Sequence, residues 1–250
     1  MLFRSGTGVK DVSVIAETED DFEANSLYFD GSGDYLRIKD NDFEKYDFDT
    51  AFTFQMWTKP TATTGGTIFK KGSQYKIQYS GGNIAFTAGS QTLNLTFPEK
   101  QDTFFCINAV RTSDSLKLYV IYDQKNVYKN SVAFTGSTSA NTNDILLGYG
   151  SNYFSGYMED LRLWHRPLSE DEILNTSFRY IAGSENGISA YFRFNELFES
   201  NVYDISRSTA KFHENHAIVY GDVSLSAEVP FSAQLAVKGI TDENGNYLIT

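Results

Sequence analysis

Apolar and polar residues alternate along the chain from Ser26 onward, in short segments separated by Gly, Asn, Ser and Asp. Successive side chains of a β-strand point to opposite faces of a sheet, so this period of two predicts strands with one buried face. In the segment 52–57, three apolar residues alternate with Thr53, Gln55 and Trp57. One face of this strand is expected to pack on a core, and the other to line a groove.

The same reasoning predicts strands over most of the chain. They cover residues 27–30, 35–39, 51–59, 67–71, 75–79, 84–88, 92–96, 104–111, 116–122, 127–132, 145–149, 157–164 and 189–194. So many short strands favour an all-β fold, a two-sheet antiparallel jelly-roll sandwich rather than a small barrel. One short helix is expected to begin near 168–173, where Ser169 and Glu172 have the spacing of a capping box.

The two ends of the chain depart from this pattern. Five acidic residues crowd positions 17–23, so residues 1–24 are interpreted as an acidic leader ahead of a jelly-roll domain at 25–230. Past Pro230, segments 235–241 and 247–250 flank a turn sequence at 242–246, which predicts a terminal β-hairpin within residues 231–250. Because an isolated hairpin is marginal in water, it is expected to begin a further β-sandwich or to contact another chain.

Composition and charge limit the classes of partner that the protein is expected to bind. The chain has 250 residues, a formal net charge of -11 and an aromatic fraction of 15%. So many aromatic residues favour a packed globule over disorder. An acidic chain without a Lys/Arg cluster is unsuited to nucleic acid or an anionic membrane surface. No run approaches the roughly 18 apolar residues of a membrane span. Neither nucleic-acid binding nor membrane insertion is therefore expected.

Several segments carry a family resemblance. In order, they are residues 26–36, 52–60, 116–120, 147–148, 154–164 and 168–173. Together they resemble the ordered landmarks of laminin-G-like, or concanavalin-A-like lectin, jelly-roll domains. The resemblance implies a two-sheet jelly roll, and it implies a binding or adhesion module, since most relatives are of that kind.

One loop has the composition of a carbohydrate site. Sugars stack on aromatic rings and hydrogen-bond to amides and carboxylates, and Tyr149, Asn152 and Tyr153 lie together in the segment 149–154. Tyr75 is a further candidate for the wall of a groove. The alternative is an ordinary hairpin whose tyrosines belong to the sheet surface.

Calcium is the one cofactor that the residues suggest. Asp30 and Asp34 flank a glycine-rich turn, which offers two carboxylates and free carbonyl groups to a hard cation. In relatives a calcium ion is often held near such a turn with help from a late strand, and the resemblance therefore adds Asp160 to the candidate ligands. The alternative is that both aspartates close the turn through hydrogen bonds.

Catalysis has weaker support in the sequence. Glycosidases need two carboxylates on one face of a strand. Residues 19–23 match the letters of such a motif but lie ahead of the first jelly-roll strand. Glu159 and Asp160 are neighbours, which a regular strand points to opposite faces. His213 and His216 are three apart in a non-helical context, so they do not form the helical zinc motif. We therefore predict that the protein is not an enzyme.

The sequence thus predicts a non-catalytic binding or adhesion module that recognises a glycan or a surface glycoprotein. The alternative is a structural module of a surface appendage, adhesin or viral fibre that contacts other copies or chains and binds no sugar. Either reading places the protein outside the cell, at a cell surface or at a virion surface.

Overall fold

The structure is a computed structural model that describes residues 13–16, 24–40, 46, 48–49, 51–63, 65–100, 102–138, 141–206, 215–230, 237–241 and 247–249. The chain divides into two compact units. One comprises Ala24–Phe231, and the other comprises Met1–Glu23 together with Ser232–Thr250.

Every predicted strand is present, with its ends shifted by at most two residues. The strands, numbered in chain order, are β1 (Ser13–Ala16), β2 (Ser26–Asp30), β3 (Tyr35–Ile38), β4 (Phe52–Pro60), β5 (Gly66–Lys71), β6 (Tyr75–Tyr79), β7 (Asn83–Ala88), β8 (Gln91–Thr96), β9 (Phe105–Arg111), β10 (Ser115–Ile121), β11 (Val127–Ala133), β12 (Ile145–Leu147), β13 (Ser155–Trp164), β14 (Ile188–Phe192), β15 (Asn201–Val202), β16 (Ala217–Tyr220), β17 (Ser224–Ser226), β18 (Val237–Thr241) and β19 (Tyr247–Ile249). One helix is present among these described residues, α1 (Glu170–Ser177).

The larger unit contains two antiparallel sheets. The front sheet has the order β11-β10-β9-β4-β13-β2-β17, and β14 also pairs with β13. The back sheet has the order β15-β16-β3-β12-β5-β6-β7-β8. The predicted two-sheet jelly-roll sandwich is therefore confirmed.

The core lies between the sheets and follows from the alternation of the sequence. On β4, Phe52, Phe54 and Met56 face inward and are fully buried. On the back sheet, Ile77 and Phe86 do the same from β6 and β7. Removing one such side chain from water contributes about 1.5–3 kcal/mol, so the period-two pattern supplies most of the force that joins the sheets.

The front sheet carries a further layer on its outer face. The capping box predicted at Ser169 and Glu172 is present and begins α1. Trp57 on β4 donates through Nε1 to the carbonyl of Ser177, 2.7 Å away, and Gln55 donates to Thr176 Oγ1 at 3.1 Å. The polar face of β4 is thus covered by the helix, and the prediction that it lines a groove is wrong.

The smaller unit contains a three-stranded sheet in the order β1-β18-β19. The predicted terminal hairpin is the β18–β19 pair, and its partner is β1 of the same chain, in the register Ser13↔Ile240. The acidic stretch 17–23 lies outside the described residues. That the hairpin begins a further β-sandwich, or contacts another chain, stays a prediction.

Candidate functional site

Four tyrosines form a continuous row on the outer face of the back sheet. The rings of Tyr220 and Tyr35 are stacked, with centroids 4.6 Å apart, and Tyr149 and Tyr153 are stacked at the same distance. Tyr35 and Tyr149 join the two pairs at 5.6 Å. All four side chains are half-buried. We call Tyr220, Tyr35, Tyr149 and Tyr153 the tyrosine row.

Strand register explains one half of the row. β16 pairs with β3 so that Tyr220 lies directly opposite Tyr35. Leu36 follows Tyr35 and is fully buried in the core, so Tyr35 points to the outer face. Directly opposite residues on antiparallel strands bring their Cβ atoms within about 5.5 Å of each other, which is the distance that ring stacking needs.

A tight loop supplies the other half. Gly148 has φ +83°, a conformation that non-glycine residues rarely adopt, and it turns the chain out of β12 into the loop 149–153. Phe154 is buried in the core and anchors the end of this loop. A Cβ atom on Gly66 would lie 2.5 Å from the Phe154 backbone, so only glycine lets β5 approach so closely. The loop is therefore held down onto the sheet at the position of Tyr149 and Tyr153.

Polar groups flank the tyrosine row on the side of β5 and β6. Asn152 is exposed, and Gln78 donates through Nε2 to Ser151 Oγ at 3.3 Å. A shallow cleft of about 200 Å³ lies there, and its walls include Asn152, Gln78 and Asn83. The arrangement combines aromatic rings with side-chain amides, which is what a polyhydroxylated ligand needs for stacking and hydrogen bonding.

The electrostatic surroundings of Tyr35 show how close these groups are. Burial and the neighbouring hydroxyl of Tyr220 raise the pKa of Tyr35, and Arg37 acts in the opposite direction. Arg37 lies two residues along β3 on the same face and forms an ion pair with Asp144 at 2.9 Å. The phenol is therefore neutral near neutral pH and can both donate and accept a hydrogen bond.

The structure corrects the prediction for Tyr75. This side chain is 1% exposed and lies in the core, where its hydroxyl contacts the carbonyl of Phe48 and lies 2.9 Å from Thr138 Oγ1. Burial raises the pKa of Tyr75 to about 12. Alternation along β6 points Tyr75 inward and Gln78 outward, so Gln78 belongs to the site and Tyr75 does not.

The turn between β2 and β3 shows the hydrogen bonds expected of an aspartate-closed turn. Asp34 is 1% exposed, and its carboxylate accepts from the backbone nitrogens of Asp30, at 2.8 Å, and Asp222, at 2.7 Å. Asp30 is exposed and accepts from the backbone nitrogen of Ser32 at 2.6 Å. Calcium binding at this turn stays a prediction.

Asp160 is not part of that turn, which corrects its place among the candidate calcium ligands. Ser155 of β13 pairs with Asp30, and Asp160 lies five residues further along the strand, about 16 Å away. Its carboxylate is occupied by Arg162, which donates through Nε at 2.8 Å and also through Nη2. Among the described residues, no group of three or more His, Cys, Asp or Glu side chains is placed to hold a metal ion.

Glu159 and Asp160 lie in one buried cluster, contrary to the prediction that they point to opposite faces. A β-bulge between Glu159 and Arg162 interrupts the pairing of β13 with β4, and Asp160 adopts φ +57°. A bulge inserts an extra residue and so changes which face a side chain takes. Tyr180 donates to Glu159 Oε1 at 2.8 Å, and Arg162 donates to the carbonyl of Thr176 at 2.7 Å.

The cluster is buried beneath the outer layer of the front sheet. Glu159, Asp160 and Arg162 are each at most 2% exposed. Burial, together with the adjacent charge of Asp160, raises the pKa of Glu159 well above its usual range. The contacts of these groups run to α1 and to the segment that follows it, so their role in the structure is to fasten that layer.

Comparison with known proteins agrees with this architecture. Residues 30–174, more than half of the chain, match the family model of the concanavalin A-like lectin/glucanases superfamily. The chain belongs to that family, in its laminin-G-like branch, as the resemblance implied. No curated protein sequence matches the chain.

Several solved structures are similar to this chain, and those with a TM-score above 0.5 share its fold. A candidate carbohydrate binding protein from Bacteroides ovatus ATCC 8483 matches with a TM-score of 0.62 and 14% identity, over 81% of this chain and 60% of that one. A heptameric SAP-like pentraxin from Limulus polyphemus matches with a TM-score of 0.54 and 14% identity, over 82% and 96%. Domains LG4-5 of the mouse laminin alpha1 chain match with a TM-score of 0.44 and 20% identity, over 59% and 44%.

The chain thus spans 60% of the Bacteroides protein's length. Within the described part of the chain, no helix has the length and apolar character needed to cross a membrane.

Proposed function

We propose that the jelly-roll unit is a non-catalytic module that binds a glycan through the tyrosine row. The observation that carries the proposal is the row itself: four half-buried rings in series on an open sheet face, with Asn152 and Gln78 at one end. The exposed parts of such rings contact the apolar C–H groups of sugars, and the amides hydrogen-bond to hydroxyl groups.

The comparisons support the proposal at the level of binding. The Bacteroides ovatus protein is named for carbohydrate binding, and its fold is shared over most of this chain. A module of this kind meets its glycan or glycoprotein partner at a cell surface or in an extracellular matrix, and that location is part of the proposal. No step of catalysis is needed for it.

The test compares tyrosines of the tyrosine row with a half-buried tyrosine on the other sheet. Tyr35→Ala and Tyr153→Ala remove rings of the tyrosine row, and Asn152→Ala removes an amide. Tyr28→Ala is the matched control: Tyr28 is also half-buried and contacts another ring, Tyr157, at 5.0 Å, but it lies on the front sheet. Each variant is first shown to melt cooperatively, and a glycan array then screens the parent protein.

For a glycan that the array identifies, we expect Tyr35→Ala or Tyr153→Ala to weaken binding at least about tenfold, since buried aromatic contacts dominate such sites. Tyr28→Ala should leave the affinity unchanged. Equal losses on both sheets, or a parent protein that binds no glycan, would contradict the proposal.

A contact with another protein chain, without sugar binding, is the second candidate. The observation that favours it is Phe198, which is 57% exposed at a turn where Glu199 and Ser200 adopt φ +47° and +66°. Non-glycine residues rarely hold such angles, so the turn keeps a strained conformation while presenting an aromatic ring to solvent. A structural module of a surface appendage, adhesin or viral fibre would use such a contact, and a negative glycan array would favour it.

A further inference from the structure

A second row of side chains runs beside the tyrosine row on the back sheet. Strand register places Arg37 opposite Leu146, Leu146 opposite Lys70, and Lys70 opposite Lys76. These residues alternate with buried core residues on their strands, so they share the outer face. Three cations thus lie in one line across three strand spacings, or about 14 Å.

The two lysines form an unusual pair. Lys70 and Lys76 are directly opposite on adjacent antiparallel strands, where two like charges destabilise a sheet. Both side chains are half-buried, and among the described residues neither ammonium group forms an ion pair. The chain has a net charge of -11, yet the carboxylate that pairs with this row among the described residues, Asp144, contacts Arg37 and neither lysine. An anion from outside the chain would offset the repulsion.

The two rows are close enough to contact one ligand. Arg37 is two residues from Tyr35 along β3, and Lys76 is two residues from Gln78 along β6. Two residues along a strand correspond to about 7 Å. The row of Arg37, Lys70 and Lys76 therefore runs beside the tyrosine row, with Arg37 near Tyr35 and Lys76 near Gln78. A glycan bound on the tyrosines would present its substituents to the two lysines.

We propose that the ligand of this face is an acidic glycan, whose carboxylate or sulfate groups are bound by Lys70 and Lys76. The proposal rests on the proposed function, because it assigns a ligand class to the same site. Lys side chains suit such groups because each ammonium offers three donors on a flexible stem, and hydrogen bonds between ionised partners are the stronger ones.

The experiment uses matched pairs of probes with the full chain. Dextran sulfate is compared with dextran, and polygalacturonate with its neutral methyl ester, so that only the anionic groups differ. Single-stranded DNA serves as a polyanion without sugar hydroxyl patterns of this kind. Binding is measured by calorimetry at low and high salt, because screening weakens exposed charge pairs.

The variants separate the two rows. Lys70→Gln/Lys76→Gln removes the pair, and Lys117→Gln/Lys125→Gln makes the same change in charge at two lysines outside the site. We expect the first double variant to lose at least about tenfold in affinity for an acidic probe, with its salt dependence reduced. Binding of the neutral counterpart should not change, and the second double variant should bind as the parent does.

The outcomes distinguish the two proposals. If Tyr35→Ala abolishes binding while Lys70→Gln/Lys76→Gln leaves the preference between acidic and neutral probes unchanged, the acidic ligand is wrong and the glycan site stands. If single-stranded DNA binds as tightly as the acidic glycans, the site is a general polyanion surface and the inference is wrong. If the parent binds no glycan of either kind, both proposals fail.

Discussion

The outer faces of the two sheets begin from the same sequence pattern and end in opposite roles. On the front sheet, outward polar residues such as Gln55 and Arg162 are fully buried, because α1 and the segment after it pack over them. On the back sheet, outward residues such as Tyr35 and Lys70 stay half-exposed. Alternation therefore shows which residues leave the core, but whether they meet solvent depends on what packs on each face.

The largest predicted difference between the two outer faces is the loss of unfolding free energy when an arginine on each face is replaced. Arg162→Met removes the partner of the buried Asp160 carboxylate, and leaving such a charge uncompensated costs about 3–5 kcal/mol. Arg37→Met breaks the half-exposed pair with Asp144, and such pairs contribute about 0–1 kcal/mol. Urea unfolding of both variants measures the contrast. Equal losses of unfolding free energy would show that the buried cluster of Glu159, Asp160 and Arg162 does not stabilise the packing of α1 on the front sheet.

The next prediction uses pH. Because the pKa of Glu159 is raised in the folded protein, the folded state keeps a proton that the unfolded chain releases above about pH 4.3. The contribution of Glu159 to stability is therefore full at low pH and falls as pH rises toward the raised pKa. Glu159→Gln has no proton to lose, so its stability relative to the parent should increase between pH 5 and pH 8.

Glu172→Gln is the control for that experiment and has the opposite sign. Hydrogen bonding to the backbone of Ser169 and to Arg166 lowers the pKa of Glu172, so its contribution is present above its ordinary pKa and is lost as pH falls through the lowered value. Free energies of unfolding from urea titrations at four pH values test the predictions for Glu159→Gln and for Glu172→Gln. A Glu159→Gln variant whose difference from the parent does not change with pH contradicts the first prediction.

The smallest predicted effect lies at the turn that joins the two sheets, between β2 and β3. If calcium binds at Asp30 and Asp34, a calcium concentration ten times the Kd stabilises the fold by about 1.4 kcal/mol. For a unit of this size, that corresponds to a rise in Tm of roughly 3–5 °C. Calorimetric scans with calcium and with a chelator measure it, and Asp30→Ala should abolish the rise. Identical Tm values in both conditions contradict calcium binding.

Local pattern was sufficient to predict most of the fold. The alternation that defines β4, or the capping box at Ser169, depends only on residues that are near in sequence. The residue type of Tyr75 suggests a groove, whereas the alternation of β6 points its side chain into the core. The prediction that Glu159 and Asp160 point to opposite faces is wrong because the bulge in β13 changes the alternation, and the sequence has no glycine there to mark it. Asp160 enters the calcium prediction only through the family resemblance, which does not fix its distance from the turn.

The site could be predicted only in part. Tyr149, Asn152 and Tyr153 lie in one loop and share a local signal. Tyr35 joins them only because β12 brings that loop beside β3, and Tyr220 joins only through the pairing of β16 with β3. Knowing that pairing requires the sheet order. The one local hint was the alternation in β3, which turns Tyr35 and Arg37 to the same face.

The pairing of β17 with β2 also bears on how a unit of this kind is carried in a longer polypeptide. Ser26 lies directly opposite Ser226, so the first and last strands of the unit leave the sheet as neighbours, about 5 Å apart. Chain ends that lie so close together are what allow a domain to be inserted into a surface loop of a host protein. The jelly roll therefore has the geometry of an insertable domain, which a host protein can carry in a single surface loop.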